Sequence, residues 1–129
     1  MNILLLEPDA VLAQTYAGAF KSRGHAVVVA STAQDAIIKA DAVCYDLVVC
    51  ELQLVSHSGI EFLYEFRSYR DWQNIPVIIN STVPPIEFLG SRQGLASELG
   101  INSYLYKPNT SLRQLLRAVE EVGIKYEAA

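Results

Sequence analysis

The sequence is short of positive charge. Ten lysines and arginines face fourteen aspartates and glutamates, leaving a net charge of −4. That balance gives no electrostatic footing on nucleic acid or an anionic membrane, both of which need a basic surface. Long apolar runs are also missing, and none approaches the roughly 18–20 residues of a membrane span. The opening Met1-Asn-Ile-Leu-Leu-Leu-Glu7 has no basic flank and its apolar stretch stops at Glu7, so it reads as a first strand rather than a signal peptide. A cytoplasmic location is the resulting expectation. Metal-binding and redox residues are scarce too. Cys44, Cys50 and the isolated His25 and His57 have no ligand spacing, so no zinc site is expected. The cysteines read as small reduced hydrophobes, and Cys50 has no neighbouring cation in sequence to activate it. Both histidines read as surface loop residues.

What the chain does have is alternation. With 51% apolar and 19% charged residues over 129 positions, it has the composition of a globular protein able to bury one core. Five apolar runs read as strands: Asn2–Leu6, Ala26–Ala30, Asp46–Cys50, Val77–Asn80 and Ser103–Tyr106. Runs such as Val27-Val-Val-Ala30 suit strands buried on both faces. Helical patterns separate them. The first, near Ala10–Arg23, stops at Gly24. Thr32 with Asp35 and Ser58 with Glu61 resemble capping boxes opening the second and third helices. The last helix starts near Asn109–Ser111 and buries Leu112, Leu115, Leu116, Val119 and Val122. The fourth is the poorest. Pro84-Pro85, Gly90 and Gly94 confine ordered helix to Ser91–Leu99, capped by Gly100, and leave Val83–Leu89 as an apolar loop. Trp72 reads as a loop residue covering the bottom of the sheet. Strict β/α alternation predicts a doubly wound α/β fold, with a parallel sheet and helices on both faces. No linker or repeat divides the chain. One domain over 1–129 is expected, with a core at 1–122, a short tail at 123–129 and no effector domain after it.

In open α/β sheets the site lies at the carboxyl ends of the strands, near the topological switch point. Glu7, Pro8 and Asp9 follow strand one, Glu51 follows strand three, Asn80, Ser81 and Thr82 follow strand four, and Lys107 with Pro108 follows strand five. Carboxylates, a hydroxyl and a lysine therefore converge from four loops. Asp9 is assigned to capping the first helix.

The residues around these positions resemble a known family. Ile3-Leu-Leu-Leu-Glu-Pro-Asp9, Tyr45-Asp-Leu-Val-Val-Cys-Glu-Leu-Gln-Leu54, Ser58-Gly-Ile-Glu-Phe-Leu63, Ile75-Pro-Val-Ile-Ile-Asn-Ser81 and Tyr104-Leu-Tyr-Lys-Pro108 are similar to the bacterial response-regulator receiver domain, CheY-like, from Met1 to about Val122. The resemblance implies a five-stranded sheet in order 2-1-3-4-5 within a flavodoxin-like three-layer sandwich. It implies a phosphoacceptor pocket at Glu7, Pro8, Asp9, Glu51, Ser81 and Lys107, with the Gln53 carbonyl as a magnesium ligand. It further implies a cis bond before Pro108 and Tyr104 as the switch aromatic. Its partner surface, made by the fourth helix, fifth strand and fifth helix, meets another signalling protein or a second copy. Here that surface would hold Ile86, Phe88, Leu89, Tyr106, Gln114 and Arg117.

Two positions depart from the family. Its strand three ends in a phosphoacceptor aspartate, and its second acidic position after strand one binds metal. This chain has Glu51 and Pro8. The extra methylene displaces the carboxylate by roughly 1.5 Å. Pro8 offers no side-chain oxygen, although magnesium demands octahedral oxygen ligands at about 2.0–2.1 Å and phosphoryl transfer needs a cation to offset charge. The expectation is a degenerate pseudo-receiver with no catalysis, no metal and no cofactor. Lys107 should turn to Glu51 and Glu7 as a near-surface ion pair contributing only about 0–1 kcal/mol. That pair is a partial mimic of a phosphoryl group or an inert relic, and the sequence leaves both readings open. The function expected is a phosphorylation-independent protein-interaction module in signal transduction. The alternative is a phosphorylatable regulator using an atypical acceptor with magnesium. A flavodoxin-like FMN binder is disfavoured, because Glu7-Pro-Asp9 would repel phosphate.

Overall fold

In the computed structural model, which describes residues 1–56, 58–90 and 95–128, strands and helices alternate along the chain. The strands are β1 (Asn2–Leu6), β2 (Ala26–Ala30), β3 (Leu47–Cys50), β4 (Val77–Ser81) and β5 (Ile101–Tyr106). The helices are α1 (Ala10–Ser22), α2 (Ala33–Ala42), α3 (Gly59–Ser68), α4 (Pro85–Gly90), α5 (Leu95–Glu98) and α6 (Leu112–Ala128). The expectations placed on His57, on the Ser91 start of a helix and on the side chains of Phe88 and Leu89 fall outside the described residues.

The strands pair in parallel in the order β2-β1-β3-β4-β5. Alternation along β1 sends its side chains to two layers. Leu4 and Leu6 pack with Val48, Cys50, Phe62, Leu63 and Phe66 beneath α2 and α3. Ile3 and Leu5 pack with Leu47, Val49, Phe20, Leu115 and Val119 beneath α1 and α6. β1 pairs on both sides, with β2 and β3 in register (Leu5 opposite Val29 and Val49). β2 is an edge strand, and its Val27, Val28 and Val29 are only half-buried, so its apolar run is not covered on both faces.

Local chemistry explains the helix ends. Asp9, Thr32 and Ser58 each accept a bond from the backbone N–H three residues on, those of Leu12, Asp35 and Glu61, satisfying donors that a helix start leaves open. Gly24 holds φ +88° beyond α1, the left-handed conformation that glycine adopts at a helix stop.

Four expectations are corrected. The Val83–Leu89 stretch is not all loop, because α4 begins at Pro85. A proline in the first helical turn fits its fixed φ and missing N–H, and the Glu87 N–H donates to the Pro84 carbonyl at 3.0 Å. The Lys107–Pro108 bond is trans, no cis bond occurring among the described residues. Pro108 sits instead within a 3-10 turn, Lys107–Asn109, which accepts its fixed φ. The stretch expected as a tail continues α6 to Ala128. His25 is half-buried rather than on the surface, because the Met1 ammonium donates to its Nδ1 at 3.1 Å; burial and that positive charge lower its pKa.

Trp72 closes the bottom of the sheet. It lies in a 3-10 turn, Arg70–Trp72, and stacks on Phe66 with ring centroids 5.0 Å apart. Arg67 locks this end. Its guanidinium donates to the carbonyls of Trp72 at 2.6 Å, Leu99 at 2.8 Å and Gly100 at 3.2 Å. No described helix is long and apolar enough to cross a membrane.

Candidate functional site

The strand order reverses between β1 and β3, and the residues after these strands face each other at the sheet's carboxyl end. Glu7 follows β1 and Glu51 follows β3. Both are 3% exposed. Lys107, entering from the end of β5, places Nζ 2.5 Å from Glu7 Oε1 and 2.8 Å from Glu51 Oε1. The ion pair expected near the surface is therefore buried. The β4–α4 turn covers it from one side, and Glu51 folds back under its own loop.

One lysine against two carboxylates leaves a net negative charge inside, and backbone donors offset it. Glu51 Oε2 accepts from the N–H groups of Leu52 at 2.7 Å and Gln53 at 3.2 Å. Its Oε1 meets the Thr82 N–H at 3.3 Å. Glu7 Oε2 accepts from the Asp9 N–H at 3.1 Å. Burial would raise the Glu51 pKa, but hydrogen bonds from Lys107, Ser81 and the Gln53 N–H outweigh it and hold the carboxyl below its ordinary value. Burial would likewise lower Lys107, and the two carboxylates outweigh that and raise it. Both groups are charged at neutral pH.

The remaining residues sit around this cluster. The half-buried Pro8 ring presents no donor. The Asp9 carboxylate is committed to its helix cap at 3.0 Å. Ser81 is fully buried, and its hydroxyl accepts from the Val83 N–H at 3.0 Å. Tyr104 donates its hydroxyl to the Val83 carbonyl at 2.6 Å; burial and the Glu51 charge push its pKa up to about 12. Tyr106 is half-buried, while Ile86 on α4 and Gln114 and Arg117 on α6 are exposed. Cys50 is buried beside the carboxylates, and burial with the Glu51 and Glu7 charges drives its thiol pKa far upward. That environment suits an inert thiol.

Sequence reasoning missed two features. Thr82 Oγ1 donates to Gln53 Oε1 at 2.8 Å, tying the β3–α3 and β4–α4 loops together across the mouth of the cluster. Polar residues of this kind are common in loops, and nothing in their spacing marks them as partners. Gly59 is the second. A Cβ there would lie 2.4 Å from Leu52 Cα and 2.8 Å from the Glu51 carbonyl oxygen. Its position directly after a cap serine was the available signal. Among the described residues, no three His, Cys, Asp or Glu side chains are grouped as metal ligands.

A doubly wound parallel sheet with an acid pair and a lysine at its switch point defines a class of α/β proteins with a site above the strand ends. Within that class, the response regulator receiver domain family matches residues 3–120, and the chain belongs to that family. It is 26% identical over 122 residues to the Gliding motility regulatory protein of Myxococcus xanthus, covering 95% of this chain and 15% of that protein. It is 30% identical over 107 residues to the KDP operon transcriptional regulatory protein KdpE of Escherichia coli K12, covering 83% and 44%. The chain thus spans less than half the length of either curated relative. A receiver domain protein of Methanospirillum hungatei JF-1 superimposes with a TM-score of 0.84 over 99% of this chain and 98% of that one, at 19% identity, which shows the CheY-like fold.

Proposed function

We propose that this receiver domain works as a protein-interaction module of signal transduction without being phosphorylated. The observation that carries the proposal is the position of Lys107. Its ammonium already lies between Glu7 and Glu51, at 2.5 and 2.8 Å, so both carboxylates have an internal counter-ion. Glu51 stands in place of the family's phosphoacceptor aspartate, and Pro8 in place of a metal-binding one. The donor set does not fit magnesium. Pro8 supplies no oxygen, Asp9 is held in a helix cap, and a second cation would be repelled by Lys107. No catalysis is assigned to the chain. Its partner is another signalling protein or a second copy, met through α4, β5 and α6, on which Ile86 is 78% exposed, Gln114 and Arg117 are exposed and Tyr106 is half-buried.

The experiment that tests this reading is magnesium linkage. A ligand raises stability only when it binds the folded state preferentially. Millimolar magnesium is expected to leave the melting temperature where matched ionic strength of sodium chloride leaves it. A clear rise specific to magnesium would show a working metal site and favour the alternative, a regulator phosphorylated on an atypical acceptor.

A further inference from the structure

We infer that the partner met through α6 is a different protein presenting an acidic amphipathic helix, and that Arg113 and Arg117 select it. This rests on the reading of α4, β5 and α6 as the partner surface and names the chemistry of the partner.

Charge is unevenly spread along the chain. The protein is acidic overall, yet no aspartate or glutamate occurs between Glu98 and Glu120, a stretch that holds all of β5 and the first half of α6. Its basic residues are Lys107, Arg113 and Arg117. Lys107 is turned inward onto Glu7 and Glu51. Arg113 and Arg117 are exposed, and neither forms an ion pair among the described residues.

Helix physics disfavours both arginines where they stand. The first turn of a helix suits negative charge, and α6 has no acidic residue there but has Arg113. Arg117 follows at i,i+4, where like charges repel. The helix start does not need them. Ser111 Oγ accepts from the Gln114 N–H at 3.1 Å, and Gln114 Oε1 accepts from the Ser111 N–H at 2.7 Å, which closes a capping box and commits Gln114 to it. Natural sequences break local rules in this way at functional positions. Leu112, next to Arg113, is 40% exposed and adds an apolar contact. The complement is a helix with two carboxylates at the same i,i+4 spacing, about 5–6 Å, flanked by an apolar side chain that covers Leu112.

A second copy does not supply this complement. The one i,i+4 acid pair in the sequence is Glu61 and Glu65, and Glu61 is already engaged within its own chain. In α6 itself, Glu120 is held by Arg23, leaving Glu121. With two α6 helices antiparallel, setting Arg117 against the second copy's Glu121 sets Arg113 against its Lys125. Setting Arg113 against that Glu121 sets Arg117 against Arg117. Parallel alignment in register opposes like charges throughout. The partner is therefore a different protein.

The test is selection from a phage-displayed library of helical peptides, panned on the whole chain. The wild type should enrich peptides with two carboxylates at i,i+4 beside leucine or isoleucine, and R113E/R117E should enrich basic ones. In fluorescence anisotropy, the leading acidic peptide should bind R113E/R117E at least about tenfold more weakly than wild type. Its twin with lysine at both carboxylate positions should recover binding to that variant. R113E should melt at or above wild type, because glutamate suits the first turn and stands four residues before Arg117; its weaker binding is then not a loss of fold. Selection that yields no binder or no acidic preference, or equal binding to wild type and R113E/R117E, would overturn the inference. Should Ile86→Asp alone abolish such binding, the partner surface stands and only its acidic partner falls; binding untouched by all three changes removes the surface as well. Acidic-peptide binding that requires acetyl phosphate and magnesium would support the partner's chemistry and overturn the phosphorylation-independent reading.

Discussion

Lys107→Met is expected to lower the unfolding free energy by about 3–5 kcal/mol at neutral pH, the cost of leaving a buried charge without its partner. The two carboxylates it serves are each 3% exposed and would face one another without a counter-ion. Small domains are stable by only about 5–15 kcal/mol, so this one change removes a large share. Urea unfolding followed by circular dichroism reads it directly. A loss below about 1 kcal/mol would mean that the cluster behaves as an exposed pair. Lys107→Met combined with Glu51→Gln should recover part of the loss, since groups in contact do not act additively.

The effect has a pH signature with a definite sign. The Glu51 pKa lies below its ordinary 4.5 in the folded state. Its contribution is therefore fully present above pH 4.5 and is lost as pH falls through the depressed value. The Lys107 pKa lies above its ordinary 10.5. Its contribution is fully present below that pH and is lost as pH rises through the raised value. Wild type and Lys107→Met should differ most between these limits and converge in acid, where Glu51 takes up a proton. A gap that is constant from about pH 7 down to about pH 3 would assign the loss to packing of the lysine stem instead.

Gly59→Ala is expected to destabilise the fold by about 3 kcal/mol, at the upper end of the usual range for overpacking. At an open helical site the same change would stabilise by up to about 1 kcal/mol, because alanine favours helix over glycine. Here the new Cβ would meet backbone, Leu52 Cα at 2.4 Å and the Glu51 carbonyl at 2.8 Å. Backbone has no rotamer to retreat into. The Gly59 N–H also donates to the Leu52 carbonyl at 2.7 Å, so a displaced α3 drags the turn that supplies two of the Glu51 hydrogen bonds. Thermal unfolding would show the loss as a fall of several degrees in melting temperature. An unchanged or higher melting temperature would mean that the turn has room to shift.

The strands were legible because a parallel sheet covered on both faces calls for continuous apolar runs. Ile3-Leu-Leu-Leu6 and Leu47-Val-Val-Cys50 supply them without any polar alternation. The helix starts were legible in Asp9, Thr32 and Ser58, whose short side chains have one strongly favoured use before an apolar stripe. Pro85 misled because the rule that proline breaks helices applies to their interiors and not to their first turn. The convergence of Glu7, Glu51 and Lys107 followed from strand order. Their burial did not, because it depends on loops that close from separate parts of the chain, such as Thr82 reaching Gln53. The Arg67 staple was hidden for a related reason: its three acceptors are backbone carbonyls, which leave no trace in residue identity.

The proposal that this domain works without being phosphorylated rests on Lys107 serving as the internal counter-ion of Glu7 and Glu51. Intact mass spectrometry after incubation with acetyl phosphate and magnesium tests it most directly, on the wild type, on P8D, on E51D and on P8D/E51D. The double variant regains an acceptor of family length and a metal-binding carboxylate, with Ser81 and Lys107 already in place, and groups that act as a unit are strongly non-additive. The expected result is a phosphoryl adduct on P8D/E51D, little or none on either single variant, and none on the wild type. A phosphoryl adduct on wild-type Glu51 would contradict the account.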